Sequence, residues 1–137
     1  MENEDYCRVF NNIVPFAGRA GIKALRISPE HNKIMMPLEP NKNHVGTMYA
    51  GALFTLAEMM GGAVALTRLG PHDLVPIVSS LNINFLKPAQ TDITVEYALS
   101  DEEAERIISE AEKAGKARYV LNLELKDAEG VVVATTE

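Results

Sequence analysis

The feature that most constrains this chain is a proline-free apolar run from Met48 to Leu69. Alanine, leucine and methionine dominate the run, and all three residue types favour helix. A helix that is apolar on nearly every side is buried on most of its faces. The middle of the run carries one charged side chain, Glu58, and a carboxylate in a buried helix needs a partner or a function. Glu58 is therefore the first candidate for a functional residue.

Length and composition favour one domain, which we expect to span residues 1–137. The net charge of −6 argues against a large nucleic-acid-binding surface. The acidic N-terminus leads into no apolar signal segment, and the one cysteine, Cys7, fits a reducing compartment, so we expect a cytoplasmic protein. Because Glu58, Gly61 and Gly62 interrupt the apolar run, we expect a buried helix rather than a membrane span.

Around this helix the sequence predicts an α+β arrangement. Apolar residues at helical spacing indicate helices, and alternation of apolar with other residues indicates strands. Asp101 is the predicted N-cap of the last helix, and Gly115 is its predicted stop. A long antiparallel sheet that faces one buried helix is a layered α+β fold, and its edges are surfaces that oligomerisation can cover. The predicted helices cover about residues 4–14, 49–68 and 102–114, and the predicted strands cover 22–28, 33–38, 75–87, 91–99, 117–125 and 131–135.

The loop before the central helix and the first turns of that helix carry a motif. Asn43 is followed three residues later by Gly46, a Tyr-Ala-Gly triplet occupies 49–51, and Glu58 follows. This order resembles the acyl-CoA thioesterase branch of the hotdog fold, the PaaI-like proteins. Their pattern has His-Gly-Gly at the start of the helix and an Asp or Glu nine residues after the His. Tyr49 stands at the His position, so no role that needs an imidazole carries over.

A narrower resemblance covers nearly the whole chain from about residue 20. The segment NHVGTMYAGALFTLAE and the acidic helix inserted at 101–115 look like a thioesterase-like subgroup known as a domain of unknown function (DUF4442), related to the C-terminal domain of the YiiD protein. The resemblance implies the hotdog fold, in which a curled antiparallel sheet wraps one long central helix. It also implies a homo-oligomer, a dimer or a dimer of dimers, whose active sites are shared between two chains.

Thioester hydrolysis requires a polarised carbonyl and either an activated water or an attacking carboxylate. Glu58 is the candidate general base or nucleophile, and the sequence leaves these two roles open. The amide of Gly51, near the start of the helix, is the candidate oxyanion donor. Because the two residues lie about 10 Å apart along one helix, we expect Gly51 of one chain to work with Glu58 of a two-fold related partner.

Several candidates also have structural interpretations. Asn43 either holds the substrate carbonyl or water, or caps a turn, and Tyr49 either offers a hydroxyl or packs at the helix start. A purely structural Glu58 would pair with Arg68, Asn82 or a backbone group. The predicted catalytic residues are Glu58, Gly51 and Asn43, and the predicted substrate-binding residues are Gly46, Tyr49, Ala50, Ser80 and Asn82.

Glycines and basic residues near the motif give two further expectations. The pair Gly61–Gly62 either makes room for an acyl chain or a neighbouring helix, or packs closely against the sheet, which we expect. The basic residues Lys42, Arg68 and Lys87 are candidates to meet the phosphates of coenzyme A.

The resemblance and the residues together predict an acyl-thioester hydrolase that acts on acyl-CoA or acyl-carrier-protein thioesters without a cofactor. The sequence has no metal-ligand spacing, P-loop or GxSxG motif. A non-catalytic acyl-CoA-binding hotdog protein is the alternative, and the absence of the motif His favours it. A hotdog dehydratase is a third candidate, and Tyr49 counts against it. Fold alone does not decide among the three.

Overall fold

The computed structural model describes residues 2–137, which form helices on an antiparallel sheet. All strand pairings are antiparallel, in the order β1-β2-β4-β5-β6-β3, so the predicted α+β arrangement is confirmed. The helices are α1 (Asn3–Ile13), α2 (Pro15–Arg19), α3 (Ala50–Val64) and α4 (Asp101–Ala114). The strands are β1 (Lys23–Ile27), β2 (Asn32–Met36), β3 (Ile83–Phe85), β4 (Ile93–Tyr97), β5 (Leu123–Lys126) and β6 (Val132–Thr136).

The central helix α3 lies across the sheet and packs mainly on β2 and β4. Its side chains Leu56, Met60 and Val64 are completely buried in one core with residues of both strands. The helical path continues past α3 through one wider π-type turn, Ala65–Leu69. The 23-residue stretch Ala50–His72 is long and apolar enough to cross a membrane, but most of its apolar surface lies in this core. The predicted buried helix is therefore confirmed.

The two edges of the sheet differ in what covers them. At the β1 edge, α1 packs along the strand, and its asparagines accept hydrogen bonds from the strand backbone. Asn11 Oδ1 accepts from the amide of Ala24 at 2.9 Å, and Asn3 Oδ1 accepts from the amide of Ile27 at 2.8 Å. These bonds occupy donors that an edge strand otherwise exposes. The opposite edge, β3, has no such cover within residues 2–137.

Two predicted strands, 75–87 and 117–125, are much shorter in the structure. Both β3 and β5 pair with β6, and the last residue of the sequence, Glu137, exchanges backbone hydrogen bonds with Asn82. The ladder with β6 begins at Ile83 in β3 and at Leu123 in β5. The alternating pattern predicted strands over the full ranges, but a strand also needs a partner for its ladder.

Local signals at the other helices were partly misread. Pro15 follows the first helix, α1, and opens the short helix α2, which was not predicted. The N-cap of α4 is Ser100, whose Oγ accepts a hydrogen bond from the amide of Glu103 at 3.1 Å, so the predicted Asp101 cap is wrong by one residue. The predicted stop at Gly115 is confirmed, because this residue adopts φ +79° and donates its amide to Ala111.

The side chain of Arg68 ties α4 to the rest of the domain. Its Nη1 donates to the carbonyl oxygens of Pro29 at 2.9 Å and Leu99 at 3.2 Å, and its Nη2 donates to Asp101 Oδ1 at 2.8 Å. The side chain is only 15% exposed. Arg68 was a candidate for coenzyme A phosphates, but here it joins the β1–β2 turn, the end of β4 and the start of α4.

We expect Arg68→Met to lower the free energy of unfolding by about 2 kcal/mol, because two carbonyls and a carboxylate lose a charged donor while the apolar stem is kept. Urea denaturation measures this change. Arg118→Met is the matched control, since the exposed Arg118 side chain has no hydrogen bond or ion pair among residues 2–137. An equal decrease in the free energy of unfolding in both variants would show that the three hydrogen bonds of Arg68 contribute nothing to stability.

Candidate active site on the open face of α3

One face of α3 points away from the sheet. Gly51, Thr55, Glu58 and Gly62 are all partly exposed and follow one another at intervals of four, three and four residues. At 3.6 residues per turn this spacing places them on one stripe, which we call the open face. The hydroxyl of Thr55 donates to the carbonyl of Gly51 at 2.7 Å, so its hydrogen bond is made within the helix. Thr55 was not predicted as a site residue, although its spacing from Glu58 could have revealed it.

Glu58 is the charged residue of the open face. Its carboxylate has no hydrogen bond or ion pair within residues 2–137, and burial raises its pKa above the usual 4.5. The proposed side-chain partners do not bind it: Arg68 binds Asp101 and two carbonyls, and Asn82 is exposed at the β3 edge. The carboxylate is therefore neither neutralised by a cation nor fully solvated.

The raised pKa of Glu58 predicts a pH-dependent cost to stability. The protonated form is favoured in the folded state, so ionisation destabilises the fold as the pH rises above about 4.5 and through the folded pKa. We expect Glu58→Gln to raise the Tm at pH 7 by a few degrees, about 1 kcal/mol or less, and to lose this advantage near pH 4. Thermal denaturation between pH 4 and pH 8 measures the difference.

The control for this measurement is Glu105→Gln, which removes the same charge from an exposed position on α4 that makes no ion pair among the described residues. We expect its Tm to follow that of the wild type across the range. A Glu58→Gln variant that is less stable than wild type at pH 7 would mean that the carboxylate has a stabilising partner in the folded protein.

The start of α3 presents free backbone donors. The Tyr49 carbonyl accepts from the amides of Ala52 and Leu53, at 3.0 and 3.2 Å, whereas the amides of Ala50 and Gly51 meet no acceptor within residues 2–137. Such first-turn amides lie at the positive end of the helix dipole. They are suited to hold an oxygen on which negative charge develops.

The ring of Tyr49 lies directly against Gly51. A Cβ atom built on Gly51 would overlap Cε2 of this ring and would lie 3.0 Å from Cδ2 and Cζ. A side chain at position 51 would therefore displace the ring from this place, whereas the sequence suggested only the approach of a substrate. The Tyr49 side chain is 60% exposed, and its hydroxyl has no hydrogen bond among the described residues.

The loop before α3 is closed by Asn43. Its Oδ1 accepts from the amides of Val45 and Thr47, at 3.0 and 3.1 Å, and its Nδ2 donates to the Thr47 hydroxyl at 2.9 Å. This is the turn-capping role that the sequence left open, and the catalytic role of Asn43 stays a prediction. Gly46 adopts φ +84°, which explains its place in the motif. Its predicted contact with substrate also stays a prediction.

Within one chain, the fold does not bring the remaining predicted site residues to Glu58. Ser80 and Asn82 are exposed and belong to the β3 edge, whereas α3 packs mainly on β2 and β4. Lys42 forms an ion pair with Glu39 at 3.0 Å, and Lys87 is exposed and has no ion pair in the described part of the chain.

The glycine pair after Glu58 corrects one expectation. Close packing of Gly61 and Gly62 against the sheet was predicted, but a Cβ built on either residue would meet nothing within 4 Å. The expectation is wrong because this part of α3 turns its small residues outwards, and the larger residues Met59, Met60 and Val64 face the core. The space beside Glu58 is therefore open to a ligand or a second helix.

Comparison with known proteins identifies the family. The model of a family described as a domain of unknown function, DUF4442, matches residues 3–137. The chain belongs to this family. No sequence among curated proteins is significantly similar to the chain. Within residues 2–137, no three His, Cys, Asp or Glu side chains are grouped so that they could hold a metal ion.

Solved structures support the fold and a thioesterase-like character. A Pseudomonas aeruginosa protein of unknown function, described as a probable thioesterase, is 41% identical with a TM-score of 0.92 over 97% of this chain and 89% of that one. A Chlorobaculum tepidum protein of unknown function is 20% identical, with a TM-score of 0.82 over 97% and 88% of the two chains. A Haemophilus influenzae thioesterase is 14% identical, with a TM-score of 0.67 over 99% and 86%. The chain is thus a hotdog-fold, thioesterase-like protein of the DUF4442 family.

Proposed function

We propose that this DUF4442 protein hydrolyses acyl thioesters of coenzyme A or acyl carrier protein to a free acid and a thiol. The observation that carries the proposal is the open face of α3. It holds an unpartnered carboxylate, Glu58, two helical turns from the free amides of Ala50 and Gly51. A carboxylate with a raised pKa and a helix N-terminus supply a base and an oxyanion donor, the two groups that thioester hydrolysis needs.

The chemistry follows from these two groups. A water molecule gives its proton to Glu58 as its oxygen adds to the thioester carbonyl carbon, and the Gly51 amide donates to the resulting oxyanion. Collapse of this intermediate breaks the C–S bond, and the thiolate takes the proton back from Glu58. Direct attack of the carboxylate on the carbonyl, followed by hydrolysis of the anhydride, is the other route open to the same residue. A raised pKa improves Glu58 as a base only while it stays ionised at the working pH.

One copy of α3 does not bring the two groups to the same carbonyl. Gly51 and Glu58 share one face, but the continuous helix keeps them about 10 Å apart. A second α3, antiparallel to the first across a two-fold axis, would bring Gly51 of one protomer towards Glu58 of its partner. The proposed enzyme is therefore a homodimer, or a dimer of dimers, with two shared sites per pair of chains.

The uncovered edge of the sheet supports this assembly. Of the fourteen large hydrophobic side chains that are exposed in the described part of the chain, five fall in one segment at the β3 edge. An exposed apolar edge strand is a surface that associates. Because α1 closes the β1 edge, β3 is the edge that remains for a second copy. The five side chains are Val75, Ile77, Val78, Phe85 and Leu86.

Thiol release from a panel of short, medium, long and aromatic acyl-CoAs tests the activity. We expect turnover by the wild type and a loss of about a hundredfold or more in Glu58→Gln, since a general base typically contributes that much. The variant should keep its fold and oligomeric state, and Glu105→Gln should retain wild-type turnover. Turnover that is indifferent to Glu58→Gln would mean that the carboxylate is not the catalytic group.

Absence of turnover on every member of the panel, with retained binding of acyl-CoA, would favour the alternative function, a non-catalytic acyl-CoA-binding protein. One observation favours the binding function: Tyr49 replaces the motif His, and its ring lies over Gly51. Binding measured by calorimetry on the wild type separates this outcome from a protein that does not recognise acyl thioesters.

Mixed dimers test the shared site. Gly51→Val places a bulky side chain where the Tyr49 ring lies, and Glu58→Gln removes the base, so each homodimer should be nearly inactive. In a heterodimer of the two, one site combines an intact Gly51 with an intact Glu58, and the other site has both defects. Random mixing makes half of the dimers mixed, so we expect about a quarter of wild-type activity after joint refolding or co-expression. Activity that stays at the level of the separate variants would contradict a site shared between chains.

A further inference from the structure

The ring of Tyr49 occupies the approach to the Gly51 amide. The Cα–Cβ direction of a helical residue tilts towards the helix N-terminus, so the space beside Gly51 that the ring fills adjoins the free amides of the first turn. This space also lies on the open face, on the same side as Glu58. A thioester that reached from Glu58 of one protomer to the Gly51 amide of its partner would have to enter the volume that the ring now holds.

Nothing in the described chain locks the ring in this place. The side chain is 60% exposed, and its hydroxyl neither donates nor accepts a hydrogen bond within residues 2–137. Rotation about χ1 of an exposed aromatic residue is a fast motion with no buried polar group to release. The ring is thus held over Gly51 by no hydrogen bond of its hydroxyl within residues 2–137, and a substrate can displace it.

We propose that Tyr49 is a gate on the acyl-thioester site, whose ring covers Gly51 in this structure and is displaced when an acyl thioester binds. This inference rests on the proposed function of the same site. It assigns Tyr49 as a residue that sets access and affinity through the bulk of its ring, and it gives no role to the hydroxyl. When a binding-competent state is only partly populated, the apparent Kd is the intrinsic Kd divided by its population. Every acyl thioester therefore binds more weakly than it would to a site without the ring.

The test measures binding to full-length protein in the Glu58→Gln background, where the probes, hexanoyl-CoA and benzoyl-CoA, are not consumed. We expect Tyr49→Ala to lower the Kd of both probes by about threefold to tenfold, which corresponds to an open fraction of about one tenth to one third. Tyr49→Phe keeps the ring and should bind as weakly as the parent. Val45→Ala removes another exposed apolar side chain of the same loop and serves as the matched control. Free coenzyme A has no thioester carbonyl to place at Gly51, and its affinity should not change.

A second readout follows the ring itself. The sequence contains no tryptophan, so Tyr49→Trp introduces a single tryptophan at the gate, which can be excited selectively near 295 nm, roughly where tyrosine no longer absorbs. We expect its emission to shift as hexanoyl-CoA saturates the site, with the midpoint at the calorimetric Kd. Emission that stays constant at saturation would mean that the ring does not move, and the gate would be wrong.

The outcomes separate the gate from the hydrolase. Weaker binding in Tyr49→Ala would make the ring part of the binding surface. A Tyr49→Phe variant with unchanged Kd but about tenfold lower kcat, in the background with Glu58 intact, would make the hydroxyl catalytic. Either result would overturn the gate and leave the proposed hydrolase standing. Stronger binding in Tyr49→Ala without thiol release by the wild type would uphold the gate and reject the hydrolase. No binding of either probe to any variant would reject both.

Discussion

The burial of α3 against β2 and β4 is the constraint on which the rest of the structure depends. The helix packs Leu56, Met60 and Val64 against the sheet. This orientation leaves one narrow stripe of the helix that the sheet does not cover. Because the rotation of the helix is fixed by its larger side chains, the position of Glu58 is fixed with it. The same constraint turns Gly61 and Gly62 outwards, so the space beside the Glu58 carboxylate stays open. The site is therefore a consequence of core packing and needs no special loop.

The α3 helix and its carboxylate were predictable because they depend on local order in the sequence. Apolar residues with no proline over about six turns indicate a buried helix, and one acid among them is conspicuous. The bounds of β3 and β5 were not predictable, since they depend on which residues pair with β6, and for β3 that partner lies far away in the sequence. Alternation along 75–87 reports extended backbone and says nothing about pairing.

Within the site, residue identity was easier to predict than side-chain contact. Asn43 and Gly46 stood out by their spacing, but only the structure shows that the Asn43 amide is used inside its own loop. In the same way, the sequence places Tyr49 two residues before Gly51, whereas the contact between them depends on the rotamer of the tyrosine. Rotamers are set by neighbours in space, so a motif can name the residues of a site without giving their interactions.

The state of Glu58 gives an argument for function that does not depend on family. A partly buried carboxylate without a cation or donor reduces stability when it is ionised, and a glutamine of nearly the same shape would avoid that cost. Natural sequences keep such destabilising groups where activity requires them. The side chain of Glu58 is partly exposed on the open face, so the group is accessible as well as costly. An acid that is buried enough to be a better base, yet still reachable by water, combines the two properties that thioester hydrolysis needs.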